Sequence, residues 1–450
     1  MGGEAVSFWK KHIAKWTPSR VLATGFLSLI VIGMLLLKLP IAVHDGIELS
    51  WIDALFTSTT ALCVTGLTVV DTQLTFTLFG EIVIITMVQI GGIGFMTVAT
   101  MFYLMIGKRI SLRERLILQE SMNTNSMEGI VRTIRRVIYF VAIIQLTAAA
   151  LLTVHWLPEM PVKKAIYYGL FHSVSLFNNG GFDLFGNSFQ AYADDTLFNF
   201  IAFFLVISGG LGFIVLAELY DYRRTRKLSL HSKVVLSMTG ILIAVGTFCI
   251  FIFEYTNPNT MQPLSFTGKV YASVFQSISS RSSGTSTVEI AELRQVTQFF
   301  MIILMFIGGS PGSAGGGIKT TTFAILICAV ITMLRGQEDA VLFRTRLSKD
   351  QILKALTIIF LALIMVLSVS MLLAMTEDQP FLNILFDTTS AVATVGLTMG
   401  MTAELSDFGK LVFCLAMFIG RVGPLTLAYA MNKRNAKGRF RYPEGKIMIG

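Results

Sequence analysis

The sequence predicts an all-α polytopic membrane protein of four related units. Three observations predict it: scarce charge, long apolar runs, and a glycine-centred motif that returns at even spacing. Of 450 residues, 54% are hydrophobic and 14% charged, with a mean hydropathy of +0.69. A soluble domain seldom carries so little charge, whereas membrane spans require it. The motif is clearest as Val64-Thr65-Gly66-Leu67 and Thr394-Val395-Gly396-Leu397, and looser as Asn178-Asn179-Gly180-Gly181-Phe182 and Ser282-Ser283-Gly284-Thr285. Successive central glycines lie 115, 103 and 112 residues apart. One unit of about 110 residues repeated four times accounts for this spacing.

Each unit reads in the same order. Val21–Pro40 is an apolar run of about 20 residues, enough to cross a ~30 Å hydrocarbon core as a helix. Ser50–Leu62 is too short to span and rich in hydroxyls, as a re-entrant half-helix beside protein and water can be. The Gly66 loop follows, and then a second span over Phe79–Ile106. The second unit has Val137–Leu157, the half-helix Ala165–Phe177 and Leu197–Tyr220. The third has Val234–Phe253, Val270–Ser280 and Phe299–Leu334; the fourth has Leu353–Met375, Leu382–Ala393 and Leu411–Met431. Phe56, Phe171, Phe275 and Phe386 precede their glycines by 10, 10, 9 and 10 residues, so the third loop is one residue shorter. The repeats are therefore 21–106, 137–220, 234–334 and 353–431. Between and around them lie 1–20, 107–136, 221–233, 335–352 and 432–450.

Charge orients the chain. Segments 1–20, 107–136, 221–233, 335–354 and 432–450 hold 27 of the 36 Lys and Arg residues. By the positive-inside rule both termini and these loops are cytoplasmic. The glycine-loop side carries 17 of the 27 acidic residues, so it faces outward as an acidic surface that concentrates cations. The basic excess is thus explained by topology, which argues against nucleic acid as a partner. No cleavable leader pattern is present, and the first run reads as a retained span. Cys63, Cys249, Cys328 and Cys414 have no metal-binding spacing and read as small packing residues. His172 and His231 are likewise alone. The loop 107–136, with Ser111 to Glu114 at capping-box spacing, is either a docking surface or a solvated basic connector.

Four glycine loops can turn backbone carbonyls toward a common axis and replace the water around a dehydrated cation. Glycine suits such a loop because a Cβ would oppose the turn. The predicted architecture is therefore four span–pore-helix–filter-loop–span repeats, eight transmembrane helices around one central pore. Its filter residues are Val64, Thr65, Gly66, Asn178, Asn179, Gly180, Gly181, Ser282, Ser283, Gly284, Thr394, Val395 and Gly396. In the second spans Ile90-Gly91-Gly92, Ser208-Gly209-Gly210, Ile307-Gly308-Gly309 and Ile419-Gly420-Arg421 correspond, so Arg421 stands where the others have glycine. An arginine within a span costs roughly 2.5–3.5 kcal/mol on insertion scales and must face a cavity or carbonyls. It reads as an electrostatic barrier below the filter, the alternative being a tie between repeats.

The third second span is interrupted by 308–319, twelve residues with six Gly and one Pro. Such backbone survives at membrane depth only inside protein or beside water. Gly308, Gly309, Ser310, Gly312, Gly315, Gly316, Gly317 and Lys319 are read as a mobile gate, with a static packing loop as the alternative. The segment imitates a phosphate-binding loop, but Ile318 separates Gly317 from Lys319 and no strand precedes it. Gly91-Gly-Ile-Gly94 and Gly209-Gly-Leu-Gly212 likewise read as packing or pore lining rather than as dinucleotide fingerprints. Arg281, just after the third half-helix, is expected to brace the filter through an acidic partner or else to tune the outer mouth.

These features together resemble the Trk/Ktr/HKT superfamily of potassium transporters, and within it the Ktr membrane subunit. The resemblance rests on Phe177-Asn-Asn-Gly-Gly-Phe182, Leu230-His231-Ser232-Lys233, Gly317-Ile-Lys-Thr320, Thr398-Met-Gly-Met401 and the terminal Tyr442-Pro443-Glu444-Gly445. It implies potassium uptake at the plasma (inner) membrane by a homodimer with one pore per protomer. It also implies a cytoplasmic ring of RCK-domain subunits that binds ATP or ADP, with no cofactor on this chain. In plant relatives Ser at the first filter glycine accompanies sodium preference, so Gly66 implies potassium. Thr285 departs from the Leu or Phe that follows the other glycines. A sodium-coupled symporter with alternating access is the alternative mechanism; it would need a midplane site between moving halves. An intramembrane hydrolase would need a nucleophile with a base or paired metal-binding carboxylates, which the spans do not offer.

Overall fold

The computed structural model describes residues 18–94, 97, 98, 116 and 130–423. Residues 1–17, the end of the first repeat's second span, most of 107–136 and everything after 423 lie outside the described residues. The capping-box spacing at Ser111 and the tail motif at Tyr442 are among them.

Fourteen helices of more than one turn organise the described chain. The first repeat supplies α1 (Pro18–Leu37), α2 (Trp51–Cys63) and α3 (Leu78–Ile93). The second supplies α4 (Ile130–Trp156), α5 (Val162–Asn178), α6 (Thr196–Leu211) and α7 (Phe213–Thr225). The third supplies α8 (Leu230–Glu254), α9 (Phe266–Ser279), α10 (Gln295–Phe306) and α11 (Thr320–Leu334). The fourth supplies α12 (Lys349–Ala374), α13 (Phe381–Ala393) and α14 (Asp407–Val422). A two-stranded hairpin pairs Val341–Leu342 with Thr345–Arg346 in the basic connector before α12, a small departure from an all-helical chain.

Among the described residues, four single helices are long and apolar enough to cross a membrane: α1, residues 134–156 of α4, α8 and α12. They open the four repeats. Their outward faces carry exposed large apolar side chains such as Leu27, Leu146, Phe248 and Phe360. Water would penalise such faces, whereas hydrocarbon accepts them.

The half-helices α2, α5, α9 and α13 lie behind this shell. Ser50 and Ser265 begin α2 and α9 by accepting the backbone N–H groups of Asp53 and Gly268, each at 3.0 Å. In α5 and α9 the helix starts earlier than the apolar pattern suggests, at Val162 and Phe266. The four aligned phenylalanines, Phe56, Phe171, Phe275 and Phe386, are all buried. So are all residues from Thr57 to Cys63 and from Phe386 to Ala393.

Packing among the repeats follows a closed order. Each half-helix rests on the opening helix of its own repeat: α2 on α1, α5 on α4, α9 on α8 and α13 on α12. Each also packs on the second helix of the repeat before it, α5 on α3, α9 on α6 and α13 on α10. The circle closes where α2 meets α14.

One expectation needs correction. The sequence suggests continuous second spans in repeats one, two and four, but the helix stops in all four. It ends beside Gly94 (φ 89°), Gly212 (φ 95°) and Gly423 (φ 90°), and in the third repeat at Phe306. A residue at positive φ cannot continue a right-handed helix, and glycine takes that conformation without a Cβ clash. After Gly212 the chain leaves as α7, bent by 104° from α6.

Phe386→Ala should lower stability by about 3–5 kcal/mol, the range for emptying a buried aromatic site. Phe248→Ala on the exposed apolar face should stay within about 0.5 kcal/mol of the parent. Thermal unfolding in detergent checks both.

Candidate functional site

The four half-helices end in loops whose glycines touch one another. A Cβ added to Gly66 would lie 2.5 Å from the Gly181 Cα, and one on Gly181 would lie 3.4 Å from the Gly284 Cα. One on Gly284 would lie 3.1 Å from the Gly396 Cα, and one on Gly396 would run into the Thr65 carbonyl. The contacts run one–two–three–four–one and close. All four glycines have positive φ, at 91°, 73°, 71° and 98°. Any side chain there would meet both steric collision and backbone strain.

Three loops enter this ring through a second left-handed residue. Val64 (φ 57°), Asn179 (φ 58°) and Thr394 (φ 49°) cap α2, α5 and α13, and none is a glycine. For the β-branched Val64 and Thr394 this is an outlying conformation, of a kind that costs about 1–3 kcal/mol and persists only when its surroundings impose it. Asn178, which the sequence places in the loop, is instead the last residue of α5. The third loop, one residue shorter, leaves α9 through Ser280 in right-handed geometry.

A residue type missed in the sequence supports the loops. Thr60, Ser175 and Ser390 lie six residues before their glycines, and Ser279 lies five before its own. Thr60 Oγ1 accepts the Gly66 N–H at 3.0 Å and Ser390 Oγ accepts the Gly396 N–H at 2.9 Å. Ser175 Oγ donates to the Phe182 carbonyl at 2.6 Å, and Ser279 Oγ donates to that of Thr285. Thr285 therefore leaves the third loop with a brace like that of the second. The recurrence of a hydroxyl at one register is the signal that reveals these residues.

The second helices press against the half-helix ends from behind. A Cβ on Gly91, Gly209 or Gly420 would collide with the carbonyl of Leu62, Phe177 or Val392, each four residues before a glycine of the ring. These glycines are explained by close packing. Gln89 joins the same layer, exchanging bonds with Gln145 at 2.9 and 3.1 Å and accepting from Asn178 Nδ2 at 2.5 Å.

The segment 308–319 lies against the glycine loops, not in a space apart. Gly316 N–H donates to Ser282 Oγ at 3.3 Å. Ser310 and Ala314 N–H donate to the Gly210 and Gly209 carbonyls, each at 3.1 Å, while Phe213 N–H donates to the Gly312 carbonyl at 2.9 Å. Gly309 N–H donates to the Gly316 carbonyl at 3.0 Å, folding the segment back on itself. Its backbone is thus answered by the broken end of α6 and by its own turns, as irregular backbone at this depth requires. A Cβ on Gly315 or Gly317 would lie within 3.1 Å of backbone atoms of Gly309 or Gly308.

Three cations meet this segment. Arg421 donates from Nη1 to the Ala314 carbonyl and from Nη2 to the Gly91 carbonyl, each at 2.5 Å. Lys319 Nζ donates to the adjacent Gly315 carbonyl at 2.7 Å. Arg421 thus ties the fourth repeat to the first and to the third-repeat segment. Arg281 departs from expectation: it is buried and donates from Nη2 to the Gly308 carbonyl at 3.5 Å, with no acidic partner among the described residues. Its side chain turns inward, which removes it from the outer mouth. His172 is buried and held in place: Nδ1 donates to the Tyr168 carbonyl at 2.8 Å, and its ring stacks on Phe185 with centroids 4.9 Å apart.

Apolar membrane-length helices around inward half-helices that end in touching glycine loops define a class, the polytopic membrane proteins with re-entrant loops. The comparisons specify it further. The family described as "Cation transport protein", TrkH, matches residues 6–440. "Ktr system potassium uptake protein B" of Bacillus subtilis is 41% identical, over 98% of this chain and 99% of its own. "Potassium/sodium uptake protein NtpJ" of Enterococcus hirae is 36% identical, over 99% of this chain and 100% of its own. Among solved structures, the potassium transporter TrkH from Vibrio parahaemolyticus shares the fold, with a TM-score of 0.71 and 18% identity over 91% of this chain and 85% of that one. The chain belongs to the TrkH family of cation transport proteins, within the Trk/Ktr group.

Thr60→Val and Ser390→Ala each leave a buried glycine N–H without an acceptor. Each should lower stability by about 1–3 kcal/mol, read from the unfolding midpoint in detergent. Thr24→Val, at an exposed hydroxyl whose bonds go to its own helix, should fall below that range.

Proposed function

We propose that this chain is the translocating subunit of a potassium uptake system, a channel-like path through the plasma (inner) membrane. The closed contact ring of Gly66, Gly181, Gly284 and Gly396 carries the reading. Its four loops would present backbone carbonyls to one dehydrated monovalent cation. On this reading eight transmembrane helices in four repeats surround a single pore, both termini are cytoplasmic, and the acidic side faces outward. The names of the Bacillus and Enterococcus relatives, one for potassium and one for potassium/sodium, support the choice of cation.

The gate is 308–319 with Arg421. In the described state Arg421 holds the segment through the Ala314 carbonyl, so it acts as latch and electrostatic barrier together. Opening would release that bond and those to the Gly209 and Gly210 carbonyls. Regulation would come from outside the chain, through a cytoplasmic RCK-domain ring that binds ATP or ADP. The relatives' designation as one protein of a Ktr system is in keeping with such a partner. The active form is a homodimer with one pore per protomer. A sodium-coupled symporter remains the competing mechanism, and a fixed potassium/sodium stoichiometry in flux measurements would favour it.

Liposome flux tests the filter: Gly66→Ser with Gly396→Ser should abolish the preference for potassium over sodium. Retained preference would remove the filter assignment. For the gate, Arg421→Ala or a deletion within 312–317 should raise potassium flux at unchanged protein density, and unchanged flux in both would remove the latch.

A further inference from the structure

Three of the four half-helices carry a buried polar side chain that reaches over the filter loop to the chain leaving it. His172 in α5 and Asp387 in α13 lie nine residues before their filter glycines, and Gln276 in α9 lies eight before the glycine of the shorter loop. All three are fully buried. His172 Nε2 accepts the Leu184 N–H at 3.1 Å, three residues past Gly181. Asp387 Oδ1 accepts the Met399 N–H at 2.9 Å, three residues past Gly396. Its Oδ2 accepts Thr398 Oγ1 at 2.6 Å, Thr402 Oγ1 at 2.8 Å and the Thr402 N–H at 3.1 Å. Gln276 Nε2 donates to Ser286 Oγ at 2.7 Å, two residues past Gly284, and that oxygen accepts the Val288 N–H at 3.1 Å.

The register is shared, but the chemistry is not. An imidazole, an amide and a carboxylate each bridge the same two points, the half-helix and the chain just beyond its glycine. The first repeat has Thr57 there, and among the described residues no bond runs from it. Three loops are therefore bridged from behind and one is not.

We infer that His172, Gln276 and Asp387 are positioning residues that hold the second, third and fourth filter loops open and so set discrimination between potassium and sodium. The inference rests on the filter reading above. A carbonyl cage accepts the smaller sodium ion well only if its loops can contract around it. A bridge from the half-helix to the chain beyond the glycine opposes that contraction, because the loop cannot shift without leaving a buried polar group unpaired. None of the three side chains needs to touch the ion. The polarity of each bridge is also fixed. His172 must present an unprotonated Nε2, which follows from donation by Nδ1 to the Tyr168 carbonyl. Asp387 must accept at both oxygens, which an amide cannot do.

Potassium and sodium fluxes into liposomes test this, with folded protein quantified by size-exclusion chromatography before reconstitution. His172→Leu and Asp387→Asn should lower the potassium/sodium flux ratio roughly fivefold to tenfold, the scale of one lost buried hydrogen bond. His172→Gln, which can place an acceptor near the Nε2 position, should keep the ratio within about twofold of the parent. Thr402→Val removes a single hydroxyl donor and should lower the ratio by a smaller factor, so it decides the case if Asp387→Asn fails to fold. A merely structural role would reduce the amount of folded protein and leave the ratio alone. Unchanged ratios in folded His172→Leu and Thr402→Val, with the glycine-to-serine filter variants altering selectivity, would overturn the bridges alone. Unchanged ratios in all of them would overturn the bridges together with the filter.

Discussion

The structure depends on one constraint: backbone that is not helical, held at membrane depth, must have its polar groups answered from within the protein. Hydrocarbon supplies no partner, and each unanswered group costs several kcal/mol. The four glycine loops and the segment 308–319 are the places where the chain accepts that constraint. Around them every feature serves as a source of partners. Hydroxyls of Thr60, Ser175, Ser279 and Ser390 support the glycine loops. The ends of broken helices and the Arg421 guanidinium supply the rest. The lipid-facing helices are simple because this interior is not.

Repetition solves most of the problem and asymmetry gives it direction. One packing rule serves every repeat: a half-helix lies between the opening helix of its own repeat and the second helix of the one before. The units then depart from one another. The second helix gives way to an irregular segment in the third repeat, and glycine becomes arginine in the fourth. Those two departures meet at the Ala314 carbonyl. A symmetric ring would have no such junction, whereas here the two exceptional elements are bonded to each other beside the glycine loops.

Much of this was legible in the sequence. The glycine spacing marked the four loops that meet, the aligned phenylalanines marked buried positions, and the Gly-rich run announced irregular backbone. What escaped was of two kinds. The breaks at Gly94, Gly212 and Gly423 escaped because a glycine inside an apolar run reads equally as packing or as a stop. Only backbone geometry separates the two, and Gly91 and Gly94 show both uses within four residues. Carbonyl partners were expected for Arg421, but which ones, and the carbonyl that stands in for an acidic partner of Arg281, escaped because backbone groups leave no trace in side-chain identity. The hydroxyls six residues before the glycines were visible but had no reason to be counted until the loops were seen to need them.

The central claim is that the four glycine loops hold one cation between them. Diffraction or electron-microscopy density from protein in rubidium, a heavier stand-in for potassium, addresses it most directly. The account predicts an ion peak on the axis between Gly66, Gly181, Gly284 and Gly396, with carbonyl oxygens from all four loops around it. An ordered ion elsewhere in the molecule, with the space between the glycines empty, would contradict it.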